Sequence, residues 1–127
     1  MDSVEVVRLL LASRTDFDAA RRYLDPAVEW IPLRAKTEGA YHGHAGVERF
    51  MTDTEESFET FEPHFELREL PRGQVLAWGS IHVVARGSGV EMNVPVGGLF
   101  DVRDGKVTRW EDFGAKERAL DAAGSPG

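Results

Sequence analysis

Val94-Pro95-Val96-Gly97-Gly98-Leu99-Phe100-Asp101-Val102-Arg103-Asp104-Gly105-Lys106-Val107-Thr108-Arg109-Trp110-Glu111-Asp112-Phe113-Gly114 is the stretch that decides the fold. Two alternating apolar runs flank Asp104-Gly105. That dipeptide is a strong hairpin signal, because a type I′ turn needs positive φ at both central residues. The second run ends in Trp110-Glu111-Asp112-Phe113, which sets a carboxylate among aromatic side chains.

Working back from the hairpin, three further strands are expected at Glu62–Leu70, Val75–Arg86 and Val90–Val102, with the last at Lys106–Phe113. Pro71-Arg72-Gly73 and Gly87-Ser88-Gly89 punctuate them as turns. Connections this short require antiparallel pairing, since a parallel crossover needs a dozen or more residues. Upstream, Val47, Phe50, Met51, Thr54 and Phe58 fall on one stripe of a helix over 44–59. Its other face, with Glu48, Asp53, Glu55, Glu56 and Glu59, reads as solvated.

Residues 3–13 read as an amphipathic helix capped by Ser3. Thr15-Asp16-Phe17-Asp18 starts a second helix that runs to Leu24 and is stopped by Asp25-Pro26. Ala27–Ile31 is a short strand, residues 33–43 a loop, and Ala115–Ala123 a final helix with Gly124 as its C-terminal cap.

The chain of 127 residues reads as one domain spanning 1–127, without repeat or linker. Segregated helices and strands give the α+β class: a cone-shaped, curved antiparallel sheet with helices packed on its concave face. The interior of such a cone is a natural ligand cavity.

With no cysteine, disulfides, thiolate chemistry and Cys-ligated zinc are excluded. The formal net charge is −7 and the basic residues are scattered, so nucleic acid and anionic membrane are poor partners. No apolar run reaches the ~18 residues of a membrane span. Asp2 and Glu5 stand where a secretion signal would be basic, which points to the cytoplasm.

Strand parity assigns the faces. Val75, Ala77, Gly79, Ile81, Val83 and Ala85 share the interior face. Leu76, Trp78, Ser80, His82, Val84 and Arg86 share the exterior one, whose apolar members predict a homodimer through the outer sheet face. In the last strand Thr108, Trp110 and Asp112 point inward, while Val107, Arg109, Glu111 and Phe113 point outward. An inward carboxyl in an apolar pocket should titrate high, as a general acid or base does. The competing reading makes Asp112 a cap for the final helix.

Trp30 and Tyr41 read as aromatic walls of the pocket, joined by Ile81 and Trp110. His42 either reaches a ligand or sits on a surface turn, and His44 either caps the helix or faces solvent. His42-Gly43-His44 has metal-binding spacing but no obvious third ligand, so neither a metal nor a cofactor is expected. The partner expected is a small apolar or cyclic ligand.

Three segments together resemble the nuclear transport factor 2-like superfamily, in its SnoaL-like or ketosteroid-isomerase-like branch. They are Asp25–Trp30, Tyr41–Phe50 and Asp104–Phe113. The resemblance implies the cone fold and a range of functions: isomerases, dehydratases, polyketide cyclases, epoxide hydrolases and binding modules. The isomerase general base would fall at Trp30, its oxyanion acid near Gly97 or Gly98, and its helix-1 tyrosine among Val7, Leu9, Leu10 and Leu11. That triad is absent. The epoxide-hydrolase partner residues would fall at Gly79 and Ile81 and are likewise absent. The cyclases' last-strand aspartate matches Asp112. The resemblance thus implies proton transfer by Asp112 in an isomerase, dehydratase or cyclase reaction without cofactor, or a non-catalytic binding module.

Overall fold

The computed structural model describes residues 2–33 and 39–124. Helix α1 spans Ser3–Ala12, and α2, Phe17–Ala20, runs into a single 3₁₀ turn, Arg21–Tyr23. Then come β1 (Leu24–Ile31), β2 (Tyr41–His42), α3 (Gly43–Ser57), β3 (Phe58–Glu69), β4 (Gln74–Ala85), β5 (Glu91–Arg103), β6 (Lys106–Asp112) and α4 (Lys116–Ala123). Residues 34–38 of the expected loop and the tail at 125–127 lie outside the described residues.

Local chemistry fixes the helix ends, one residue away from the expected caps. Asp2, not Ser3, caps α1, its Oδ1 accepting a 2.8 Å bond from the Glu5 N–H. Asp16, not Thr15, caps α2 through the Ala19 N–H. A carboxylate both satisfies the free N–H groups and complements the helix dipole. Asp25-Pro26 does not stop a helix at Leu24. The helix has already tightened to 3₁₀ form, and Asp25-Pro26 lies inside β1. Phe58, expected as the last residue of the helical stripe, is extended and opens β3.

The six strands form one curved, unclosed sheet in the order β2-β1-β6-β5-β4-β3. Strands β3 to β6 make the expected antiparallel meander. Asp104 (φ 53°) and Gly105 (φ 74°) supply the positive dihedrals of the type I′ turn. Strand β1 pairs with β6 in parallel. Short-loop arguments say nothing about that pair, because most of the chain separates the two strands.

At the centre of β4, Gly79 has φ +147°, and a Cβ there would collide with the His64 carbonyl of β3. A glycine kink of this kind lets an antiparallel sheet curve without losing its pairing. Around Gly97-Gly98 both faces are crowded. A Cβ on Gly97 would strike the Ala115 backbone ahead of α4, and one on Gly98 would strike the Trp110 ring.

Helices α1 to α3 cover the concave face. Val6, Val7 and Leu10 of α1 and Val47 of α3 pack there with Val75 and Phe100 of the sheet. Helix α4 lies on the opposite, convex face, where Ala119 and Leu120 bury Leu76, Leu99 and Leu70. Part of the outer face is therefore covered by the chain itself, and the Lys116 Nζ stands 4.2 Å from the Trp78 ring centroid. Parity fails at one place in β6. Asp101 pairs with Arg109 but Val102 with Val107, so one extra residue bulges the strand. Val107 consequently turns inward and is fully buried beside Trp110, contrary to the simple alternation.

Candidate functional site: an aromatic cavity in the cone

A cavity of about 500 Å³ opens between α1, α2 and α3 and the concave face of the sheet. Six of the chain's seven phenylalanines wall it: Phe17, Phe50, Phe58, Phe61, Phe65 and Phe100. Only Phe113 lies elsewhere, against the α4 side. The alternation of Phe61, Pro63, Phe65 and Leu67 along β3 turns these residues to one face. This signal is visible in the sequence, yet reading the strand from Glu62 leaves Phe58 and Phe61 outside it.

The deep end is a cluster of rings. Phe100 and Trp110 lie 4.3 Å apart with planes tilted by 32°, and Trp30 is 6.1 Å from each. Phe50 of α3 closes on Trp30 at 5.9 Å. These separations are those of favourable ring pairs. Thr54, the only buried polar residue among those described, adds a hydroxyl-bearing side chain to the lining. Among the described residues, charge in the lining is confined to exposed positions, Arg14, Glu48, Glu55, Glu59 and Arg86. The two arginines also close the assembly. The Arg86 Nε donates to the Glu55 carbonyl of α3 at 2.6 Å, and the Arg14 Nε to the Phe61 carbonyl at 3.4 Å. Sequence reading missed both, because nothing local marks an arginine in the turn after α1, or one at the end of β4, as part of a rim.

Of the residues expected at the site, Trp30, Ile81 and Trp110 line the cavity. Tyr41 stands behind the wall, edge-on to Phe50 at 5.4 Å, with its hydroxyl donating to the Asp53 Oδ2 at 3.2 Å. His42 is exposed on β2, opposite Glu29, and is not among the lining residues. His44 neither caps α3 nor faces open solvent. Its Nε2 lies 2.8 Å from the Leu24 carbonyl and its ring meets Phe17 edge-on. Among the described residues no group of three His, Cys, Asp or Glu side chains is placed to hold a metal.

Asp112 is half-buried but is not among the lining residues. Its Oδ1 accepts from the Gly114 N–H at 2.8 Å and from the Gly97 N–H at 3.4 Å. Burial raises its carboxyl above the usual range, and hydrogen bonds from the Gly114, Gly97 and Phe113 backbone oppose that rise. The N-cap position of α4 is Ala115 and receives no side-chain bond. Asp112 therefore fastens the turn between β6 and α4 rather than capping the helix.

Comparison with known proteins agrees with this architecture. A comparison with curated proteins yields no match. Among solved structures, TerC co-crystallised with polyporic acid is 23% identical, with a TM-score of 0.75 over 87% of this chain and 89% of that one. An NTF2-like protein of unknown function from Burkholderia pseudomallei is 18% identical, with a TM-score of 0.78 over 95% and 96%. A candidate polyketide cyclase from Pseudomonas putida is 18% identical, with a TM-score of 0.75 over 89% and 91%. At these identities the likeness is one of fold. The model of the SnoaL-like domain matches residues 7–110, most of the chain, and the protein belongs to the SnoaL-like domain family.

Proposed function

We propose that the protein binds a small, largely apolar, ring-containing molecule inside the cone. The observation that carries this reading is the 500 Å³ cavity, walled by aromatic side chains and charged only at exposed positions. Concave apolar sites of this size with few polar groups are the usual form of a small-molecule site. The neighbour co-crystallised with polyporic acid supports the same use of the fold. The cysteine-free composition suits a reducing compartment, and we place the protein in the cytoplasm.

A second reading makes the protein a cofactor-independent isomerase, dehydratase or polyketide-cyclase-type enzyme, with Asp112 moving the proton. Its support is the raised pKa of that carboxyl. The binding reading is preferred, because Asp112 spends its Oδ1 on backbone N–H groups away from the lining. Titrating the protein with a panel of one- to three-ring compounds, followed by intrinsic fluorescence, tests the first reading. Binding that disappears in a cavity-filling Ile81→Trp variant of unchanged melting temperature is expected. Binding that survives the filling places the ligand elsewhere. Once a reaction is found, an Asp112→Asn protein with full turnover removes Asp112 from the second reading.

A further inference from the structure

Two long stretches of the sheet have a paired neighbour on one side only. One is β3, the last strand in the sheet order. The other is Glu91–Val96 of β5, which runs on beyond the end of β6. Along an antiparallel strand the N–H and C=O of one residue point to the same side, and those of the next residue to the other. The His64 carbonyl lies where a Cβ on Gly79 of β4 would be, so the even-numbered residues of β3 turn toward β4. Phe61, Pro63, Phe65 and Leu67 therefore turn their backbone groups to the free edge, where the Phe61 carbonyl accepts from the Arg14 Nε at 3.4 Å. In β5 the Val90 carbonyl accepts from the Ala85 N–H of β4 at 2.9 Å, and the Gly97 carbonyl accepts from the Phe113 N–H on the opposite side at 2.8 Å. Glu91, Asn93 and Pro95 share the outward parity of Gly97.

Each free edge thus carries a proline within the strand, and each ring replaces an N–H that would point outward. On the ladder side a proline would remove a bond of the sheet, so both rings sit where the strand tolerates them. An open edge is a template for another strand. The β3 edge is within reach of one, since a groove between it and α1 is lined by Arg8, Ala12, Pro63, Phe65 and Leu67. In β5 Glu91, Asn93 and Pro95 are exposed, and Met92 beside them is 52% exposed. The edge at β2 is two residues long and offers little to pair with.

We infer that Pro63 and Pro95 are stops against strand addition, which keep a second copy of this chain from extending the sheet at either long edge. Each ring breaks the run of outward donors, in β3 between Phe61 and Phe65 and in β5 between Asn93 and Gly97. A strand arriving on either edge would leave one of its own carbonyls unpaired opposite the ring, which offsets the bonds made on either side. At β3 the stop is doubled, because Arg14 already occupies the Phe61 carbonyl, one outward position before Pro63. Contact between copies is left to the sheet faces.

The test restores the missing donors. Pro63→Thr and Pro95→Thr, as full chains, are compared with wild type by sedimentation at micromolar concentration, with far-UV circular dichroism to show that each is folded. Each variant should form species of at least about twice the wild-type mass, as an unguarded edge does. Adding Leu67→Pro to the first variant, or Asn93→Pro to the second, puts a ring at another outward position and should return the wild-type mass. A folded variant that keeps the wild-type mass overturns the stop on its edge. Assembly that survives the added proline runs through another surface and overturns it too. Amide exchange in the concentrated wild-type protein tests the same stops without a substitution. The N–H groups of Phe65, Leu67, Glu91 and Asn93 should exchange at least about tenfold faster than those of Glu66 and Val94, which face β4. Equal protection of the outward set means that a strand pairs there despite the prolines, and overturns the inference even if the variants fail to fold.

Discussion

The Asp112 carboxylate accepts a 2.8 Å hydrogen bond from the N–H of Gly114, two residues ahead, and so closes the turn that swings the chain from β6 to α4. Local bonds of this kind hold the chain where regular pairing ends. The same carboxyl is half-buried, and burial raises its pKa. The two effects oppose each other, and pH separates them. Below about pH 4 the group is protonated in both the unfolded and the folded chain. As pH rises through the raised folded-state pKa, the folded protein must ionise a poorly hydrated carboxyl, and stability is lost. Asparagine keeps the acceptor oxygen and has no charge. The stability of Asp112→Asn relative to wild type should therefore increase from pH 3 to pH 7 in urea titrations. A difference that is flat with pH would mean the carboxyl titrates normally. Asp112→Ala, which removes the acceptor and the titrating group together, should cost about 1–2 kcal/mol at pH 3 and less at pH 7.

How far this region was legible in the sequence depends on whether the signal is local. Asp104-Gly105 announces its turn because the type I′ geometry requires particular residues. The α3 stripe and the apolar faces of β4 are equally local, and alternation along β4 turns Ile81 to the concave side, where the cavity lies. The bulge in β6 is not local. It depends on how Asp101 and Val102 pair across the hairpin, and it reverses the face of Val107. Asp112 follows the same logic. Two residues past Trp110, period-2 reasoning aims it at the ligand, but the strand ends there and the backbone of Gly97, Phe113 and Gly114 captures it. Neither the parallel pairing of β1 with β6 nor the rim arginines has a local signature.

Gly79 is a point of sheet geometry with a measurable consequence. Its φ of +147° is poorly accessible to other residues, and a side chain would meet the His64 carbonyl of the neighbouring strand. Gly79→Ala should therefore destabilise by about 1–3 kcal/mol, strain and collision together. Gly87, in the β4–β5 turn, also has positive φ (85°) but has open space around it. Gly87→Ala should cost only about 1 kcal/mol. Equal losses in paired denaturant curves would show that β4 relaxes around Gly79 and that the kink is not demanded by β3.

The outer sheet face retains uncovered apolar surface, and we expect it to pair with a second copy of the chain. Helix α4 covers Leu76 and Leu99, while Val84 stays partly open beside His82, whose Nε2 is 2.6 Å from the Glu91 Oε2. Sedimentation at micromolar concentration should give a dimer. Val84→Glu should shift it to monomer without unfolding, because a carboxylate at the centre of a sheet interface would be desolvated without a partner. A wild-type monomer at that concentration would end the dimer proposal.

Two phenylalanines of the same cavity should separate stability from binding. Phe100 is fully buried, stacks on Trp110 at 4.3 Å and belongs to the concave core as much as to the cavity wall. Phe61 lies on β3 with its ring 5.7 Å from that of Phe58 and is only half-buried. Truncating Phe100 leaves a void inside packed structure, so Phe100→Ala should cost about 3–5 kcal/mol. Truncating Phe61 removes a wall that already borders open space, so less apolar burial is lost, and Phe61→Ala should cost less than about 1.5 kcal/mol. Both side chains line the cavity, so on the binding reading proposed above both variants should weaken ligand binding, measured without denaturant at a temperature where each is fully folded. If Phe61→Ala binds like wild type, the ligand occupies only the deep end around Trp30 and Trp110, and the β3 wall serves folding alone. If Phe61→Ala is as unstable as Phe100→Ala, the mouth is packed as tightly as the core and cannot be an entrance.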